Sequence, residues 1–174
     1  MAINDLHESE ARWFAVYTKY KCEKFVSDHL GRKDIESYVP IIKKTKHYSS
    51  RKKEYEIPLI NCYVFVKIIK QEFVSVLETE YVMKFLKIGK DLIAIPEEEI
   101  NLLKRIVGEI DTEILVSELD FKKGQKVEVI GGHLTGIHGV LVEEKNNHSF
   151  VVELQNIGIA LQVDVDRNLL RLVN

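Results

Sequence analysis

The chain has 174 residues, of which 45% are hydrophobic and 30% charged, with a net charge of −2. That composition belongs to one or two small folded domains and excludes a chain that is disordered over most of its length. No apolar run approaches the roughly 18 residues of a membrane span, the polar start MAINDLHESEAR lacks the pattern of a secretory signal, and Cys22 and Cys62, without CxxC spacing, fit reduced thiols of a cytoplasmic protein.

In chain order, RWFAVYTKY (from Arg12) is apolar at both alternating sets of positions, the pattern of a strand buried on both faces. KCEKFVSDHLG follows as an amphipathic helix. Its stripe is Cys22, Val26 and Leu30, flanked by Phe25 and His29, and Gly31 is the expected stop. SYVPII is a short strand that Pro40 assigns to an edge or a bulge. KKTKHYSSRKK, Lys43 to Lys53, holds six positive charges and no negative one, so it tips a long hairpin leading to the strand CYVFVKI. QEFVSVLETE fits helix or strand, and Phe73, Val76 and Leu77 favour helix. VMKFLKI and DLIAI read as strands around Gly89-Lys90. PEEEINLLKRIVGEI reads as a helix with Pro96 and three glutamates in its first turn and a stripe of Ile100, Leu103 and Val107.

Residues 1–108 carry 19 Lys and Arg against 16 Asp and Glu, residues 109–120 five acids and no base, and residues 121–174 six of each. The acidic segment EIDTEILVSELD, without an amphipathic period, reads as a linker between domains at 10–108 and 121–174. The first is α+β, an antiparallel sheet with helices packed on it. In the second, KVEVI, GVLVEE, HSFVVEL and IALQVDV are short strands with Gly or Asn turns between them, which predicts a small all-β barrel.

The glycines at 124, 131, 132, 136 and 139 raise the question of a phosphate loop. Such a loop needs a helix after its glycines, and here the alternating, β-branched VLVEE comes next, with no GK[ST]. They read as turn glycines. His133 and His138 have no third ligand at zinc spacing, and Ser49-Ser50 has no base partner, so neither a metal site nor an enzyme is expected.

The spacing of Gly124, Val127, Val129, Gly132, Gly136, Gly139 and Leu141 resembles the KOW motif of NusG-type transcription factors and some ribosomal proteins, which implies an SH3-like barrel. WFAVYTKYKCEKFVSDHL, IPLINCYVFVKI and MKFLKIGKDLIAIPEEEINLL resemble the opening strand and helix, the Pro-Leu-Phe-Pro-Gly-Tyr-x-Phe-Val segment and the closing elements of the NusG N-terminal domain. Together they cover most of residues 12–174 in the family's order. The divergent LINCY points to a specialised paralogue of the UpxY or RfaH kind.

The resemblance implies a monomeric transcription elongation or antitermination factor without cofactors. Its first domain would bind the clamp helices of RNA polymerase and suppress pausing, and such paralogues act on long surface-polysaccharide operons. The family's docking pocket maps onto Tyr17, Ile60, Tyr63, Phe65 and Leu103, with Ile60 where an aromatic is common; strand aromatics equally serve as sheet core. Contacts to the non-template DNA strand map onto Lys19 and His29, with Lys21 and Lys24 nearby. Glu80 stands where a basic DNA-contacting residue is found, and the His-Thr-Thr motif that reaches the polymerase gate loop has no counterpart in QEFVSVLETE. From its charge, the run of Lys43, Lys44, Lys46, Arg51, Lys52 and Lys53 is either a solvated tip or a contact to upstream DNA, with His47 and Tyr48 placed to stack on bases.

A rival reading is a general elongation factor that recruits Rho or a ribosomal protein through exposed residues of the barrel, Phe150 and Ile157. Another is a KOW-type RNA-binding protein, against which the neutral charge of residues 121–174 argues. RfaH-like members can refold this second domain as helices; the β-branched residues and turn signals of 148–165 predict strands here.

Overall fold

The computed structural model describes residues 3–48, 51–109, 114–118, 124–132, 134–144, 147–165 and 167–173. Two compact units follow one another, Met1–Ile100 and Asn101–Asn174.

The first unit contains β1 (Arg12–Thr18), α1 (Glu23–Gly31), β2 (Glu36–Tyr38), β3 (Ile41–Tyr48), β4 (Arg51–Pro58), β5 (Tyr63–Ile68), a 3₁₀ turn (Lys70–Glu72) running into α2 (Phe73–Leu77), and β6 (Val82–Phe85). α3 (Glu97–Glu109) begins in this unit and continues past the division at Ile100. The main sheet is antiparallel in the order β2-β5-β1-β6, and β3 and β4 form a separate two-stranded ribbon. Side chains alternate across a strand. The β1–β5 register therefore sends Phe14, Val16, Val64, Val66 and Ile68 to one face, where they pack with Val26 and Leu30 of α1, Val76 of α2, Phe85 and Leu92. Each large apolar side chain buried here contributes about 1.5–3 kcal/mol. Phe85 is stacked by Phe73 at 4.5 Å and met edge-on by Phe14 at 6.3 Å.

Several expectations are corrected by local geometry. Gly31 is the last helical residue of α1, and the left-handed residue beyond it is Asp34, at φ 57°. The buried residues of α1 are Glu23, Val26 and Leu30, with Cys22 half-buried at the N-cap. DLIAI makes isolated bridges rather than a strand, Leu92 with Asn4 and Ile95 with Trp13. Side chains supplement its few backbone bonds there: the Asp5 carboxylate accepts from the Ala94 N–H at 2.9 Å, and Asp91 from the Ile3 N–H at 2.7 Å. The QEFVSVLETE segment is helical as expected, but its α-helix covers only Phe73–Leu77, after the 3₁₀ turn. On α3 the buried stripe is Ile100, Leu103 and Ile106, and Val107 is half-buried.

The second unit contains β7 (Leu115–Glu118), β8 (Gln125–Val129), β9 (His138–Glu144), β10 (Asn147–Leu154), β11 (Ile159–Val163), a 3₁₀ turn (Arg167–Leu169) and β12 (Leu170–Leu172). They form one antiparallel sheet in the order β12-β8-β9-β10-β11-β7. Segment 148–165 is therefore strand and turn, not helix. β7 lies within the expected linker 109–120: it pairs with β11, while 110–113 and 119–123 lie outside the described residues. Phe150 and Ile157, expected at the barrel surface, are 1% and 4% exposed and belong to its core. Residues Phe150, Val151, Val152 and Leu154 are all buried, so β10 is covered on both faces.

The glycine-rich turn performs two jobs. Gly136 adopts φ 84° and donates its N–H to the Val129 carbonyl at 2.7 Å, closing the β8–β9 connection. Gly139 is required by contact, because a Cβ there would lie 2.6 Å from both the Phe150 ring and the Val151 carbonyl oxygen. Gly139→Ala should therefore lower the stability of this unit by about 1–3 kcal/mol. A urea titration followed by circular dichroism checks this, and an unchanged midpoint would count against the packing described.

Candidate functional site

The second face of the main sheet carries Trp13, Ala15 and Tyr17 of β1 opposite Lys67, Phe65 and Tyr63 of β5, with Tyr38 of β2 opposite Phe65. This face is closed at one end and open at the other. At the closed end the Trp13 indole N–H donates to Glu97 at 2.9 Å, Lys67 forms an ion pair with the same carboxylate at 2.9 Å, and Lys67 lies 5.7 Å from the Trp13 ring centre. The hydrogen bond to Glu97 raises the Lys67 pKa. Glu97 is the first residue of α3, so these contacts fix where that helix starts. The ion pair is partly exposed and contributes at most about 1 kcal/mol. Phe65 is fully buried, with Tyr38 stacked at 6.3 Å, and burial pushes the Tyr38 hydroxyl up to about 12.

At the open end Tyr17 is 37% exposed and Tyr63 half-buried, and their rings meet edge to face at 5.0 Å. Lys84, opposite Tyr17 on β6, holds its ammonium 6.0 Å from the Tyr17 ring centre. The five residues mapped to a docking pocket therefore divide. Tyr17 and Tyr63 reach solvent, while Ile60, Phe65 and Leu103 are 5%, 0% and 0% exposed.

The turn that delivers Tyr63 is held by a residue whose place in the sequence suggests only helix surface. Glu23, 2% exposed at the start of α1, accepts the Cys62 N–H at 2.6 Å, and the Cys62 carbonyl accepts the Thr18 N–H at 2.8 Å. Cys62 itself sits at φ 65°, a left-handed conformation that costs a non-glycine residue about 1–2 kcal/mol. Burial, then Glu23 and Cys22, push its thiol pKa up.

A second aromatic and basic cluster forms where α1 meets the turn before β6. Phe25 stacks on His29 at 3.8 Å and lies 5.1 Å from Tyr81. Lys19 is 5.5 Å from the Tyr81 ring centre and Lys21 is 5.3 Å from that of Tyr20. His29 Nδ1 lies 2.9 Å from the Phe25 carbonyl, which can only accept, so Nδ1 donates there. Tyr81 adopts φ 69°, and the neighbouring Glu80 carboxylate raises its pKa. Lys24 lies apart from this cluster, paired with Glu56 of β4 at 2.9 Å. Tyr81 and Glu23 carry no signal in the sequence, because their roles arise from contacts across the fold.

Gly124, Gly132, Gly136 and Gly139 line turns and close approaches in the second unit. The cations of the basic run lie on the β3–β4 ribbon, where Lys43 pairs with Glu56, Lys44 with Tyr55, Lys46 with Lys53, His47 with Lys52 and Tyr48 with Arg51. Ser49, Ser50 and His133 lie outside the described residues. Among the described residues no three His, Cys, Asp or Glu side chains gather as a metal site, and no helix is long and apolar enough to cross a membrane.

The sequence profile described as "NusG: Transcription termination factor nusG" matches residues 11–104. Among solved structures, that titled "Domain interaction in Thermotoga maritima NusG" is 22% identical, with 88% of this chain and 93% of that one covered and a TM-score of 0.55, which is a likeness of fold. The structure titled "Crystal Structure of MjSpt4:Spt5 complex conformation B" is 19% identical over 92% of this chain and 96% of that one, with a TM-score of 0.34. No curated protein sequence matches.

The Tyr63 turn generates two expected outcomes. Glu23→Ala leaves the Cys62 N–H without its acceptor and should cost about 1–3 kcal/mol in urea unfolding, whereas Glu23→Gln keeps an acceptor and should cost less. Cys62→Gly relieves the left-handed strain and should stabilise the chain by up to about 1 kcal/mol; a destabilised Cys62→Gly would mean that the cysteine side chain contributes more than its backbone costs.

Proposed function

From the premise that the chain belongs to the NusG family of transcription factors, which are not enzymes, we propose that it is a specialised elongation and antitermination factor. In this reading it works in the cytoplasm as a monomer, rides on RNA polymerase, and acts on a limited set of long operons such as surface-polysaccharide operons. The observation that carries the proposal is the open Tyr17–Tyr63 end of the β1–β5 face. Most of that face is sealed by its own tryptophan, phenylalanine and glutamate contacts, yet two aromatic rings reach solvent at one end. Rigid aromatic side chains beside buried neighbours have the character of interface hot spots. The partner surface is the pair of clamp helices: Tyr17 and Tyr63 make the contact, and Phe65 and Ile60 support them from within the fold.

The Phe25–His29–Tyr81 cluster with Lys19 and Lys21 supports a second contact, to the exposed non-template DNA strand. Stacked rings accept unpaired bases and the lysines accept phosphate. The LINCY turn supports the specialised reading. Cys62 occupies the left-handed position where the resembling family segment has glycine, so the turn before Tyr63 keeps the family's shape with different chemistry. The alternative of a general factor recruiting Rho or the ribosome relied on Phe150 and Ile157, and both are core residues.

Polymerase retention tests the docking proposal. Tyr63→Ala and Tyr17→Ala should each weaken capture of RNA polymerase by the tagged full chain about 30-fold, the effect of a hot-spot loss of about 2 kcal/mol. Undiminished capture by the double variant sinks the docking proposal. Mapping the genes bound by wild type in cells then separates a few long operons from transcription everywhere.

A further inference from the structure

The chain's two cysteines are far apart in sequence, and the fold brings them to one turn. Cys22 is the N-cap residue of α1, and the next residue, Glu23, accepts the Cys62 N–H at 2.6 Å. The Cys62 carbonyl accepts the Thr18 N–H at 2.8 Å, and the Cys22 N–H donates to the Lys19 carbonyl at 3.1 Å. The short segment from Thr18 to Glu23 thus bonds Cys62 through both its N–H and its carbonyl, and Cys22 lies within that segment. Both cysteines are free and half-buried, and the Cys22 thiol is engaged only weakly, 3.7 Å from the Tyr20 carbonyl. Cys62 holds φ 65°, a conformation unfavourable to any side chain and one that concentrates at functional turns. Burial, then the charges of Glu23 and Cys22, raise its thiol pKa, and the part due to Cys22 means that the two thiols lie within Coulomb reach of each other.

We propose that Cys22 and Cys62 are a reversible redox pair, closed to a disulfide by exchange with a low-molecular-weight disulfide, and that closure moves the turn carrying Tyr63. Burial leaves Cys62 the less ionised thiol, so Cys22 makes the first attack and Cys62 resolves it. The Cys22 thiolate attacks one sulfur of the small disulfide, forming a mixed disulfide and releasing one small thiol. The Cys62 thiolate then attacks the Cys22 sulfur and expels the second small thiol. The protein dithiol is oxidised, the small disulfide is reduced, and the two thiol protons leave on the two small thiols. Such a pair stays reduced in a reducing compartment and closes only when the small disulfide rises. In the reduced chain the turn is placed by the Glu23 and Thr18 hydrogen bonds. A covalent tie from Cys62 to the start of α1 resets that placement, and Tyr63, whose ring meets Tyr17, is the next residue. The consequence for polymerase rests on the docking role given to those two rings above: oxidation weakens docking and reduction restores it.

The full chain is equilibrated in buffers with graded ratios of reduced to oxidised glutathione, quenched by alkylation, digested without reductant and mapped by mass spectrometry. Wild type should become lighter by two hydrogen atoms, with the Cys22 peptide linked to the Cys62 peptide, and should reopen in dithiothreitol. Cys62→Ser should instead collect glutathione on Cys22. Dimers alone, glutathione adducts alone, or two free thiols in the most oxidising buffer would overturn the pair. Movement of the turn is read by hydrogen exchange: the Cys62 amide should exchange faster in the closed form as its bond to Glu23 is disturbed, and unchanged exchange rejects the switch. Polymerase capture is then measured with the small thiols removed. Closed wild type should capture less than reduced wild type and recover after reduction. Cys22→Ser, which keeps a good N-cap residue, should be insensitive to the buffer. Equal capture by the closed and reduced forms rejects the control of docking. Absence of capture by the reduced chain rejects the docking role itself, while the redox pair and the movement of the turn are decided by the mass map and the exchange rate.

Discussion

The antiparallel pairing of β1 with β5 is the constraint on which the first unit depends. Its register runs from Arg12 opposite Ile68 to Tyr17 opposite Tyr63. A slip of one residue would exchange the two faces of one strand, moving Phe14 and Val16 out of the core and Trp13 and Ala15 into it. The core with α1 and α2 and the aromatic face with its open end are thus two consequences of one alignment. The alignment is fixed where the strands meet their turn: the Cys62 carbonyl and N–H are taken by Thr18 and Glu23. A buried carboxylate is costly unless it is hydrogen-bonded, so Glu23 is under strong pressure to hold that turn in place.

How much of this is legible in the chain depends on where each signal resides. Burial of β1 on both faces is written in the strand itself, because Trp13, Ala15 and Tyr17 are as apolar as Phe14 and Val16. Which end of a face remains open is not written there. Phe65 and Tyr63 are two residues apart on the same face, and only their neighbours in the fold make one buried and the other accessible. Glu23 is a harder case. An acid in the first turn of a helix is expected for its interaction with the helix dipole, and its acceptor role depends on a backbone N–H 39 residues away. Tyr81 likewise gains its place beside Phe25 through a left-handed turn at a residue type that gives no hint of one.

In the second unit the glycines are legible because the segment after them decides their meaning: an alternating apolar strand excludes a phosphate loop and leaves turn and packing roles. β7 and β12 are not legible. They span Leu115–Glu118 and Leu170–Leu172, too short for a period to show. β7 also exposes Leu115 and Val116 at 51% and 36%, so it is a strand by virtue of its ladder with β11 rather than by its own pattern. The same reasoning explains Phe150. Assigning it to a contact surface assumes that an aromatic on a small sheet faces outward, but the ring lies against Gly139, whose missing side chain provides the space.

Net charge and charge runs both sum over residues that point in different directions. Along the sequence, Lys43 to Lys53 contains six cations and stops just short of the acids Glu54 and Glu56. On the ribbon those two acids fall on the face that holds Lys43 and Lys52, opposite to the face of Lys44, Arg51 and Lys53. At the base of the ribbon the ladder sets Lys43 against Glu56, and toward the tip it sets Lys46 against Lys53. Opposite charges across a ladder stabilise it by roughly 0.2–1 kcal/mol and like charges oppose it. The Lys43–Glu56 rung therefore helps to hold the ribbon at its root, beside the Lys24–Glu56 ion pair.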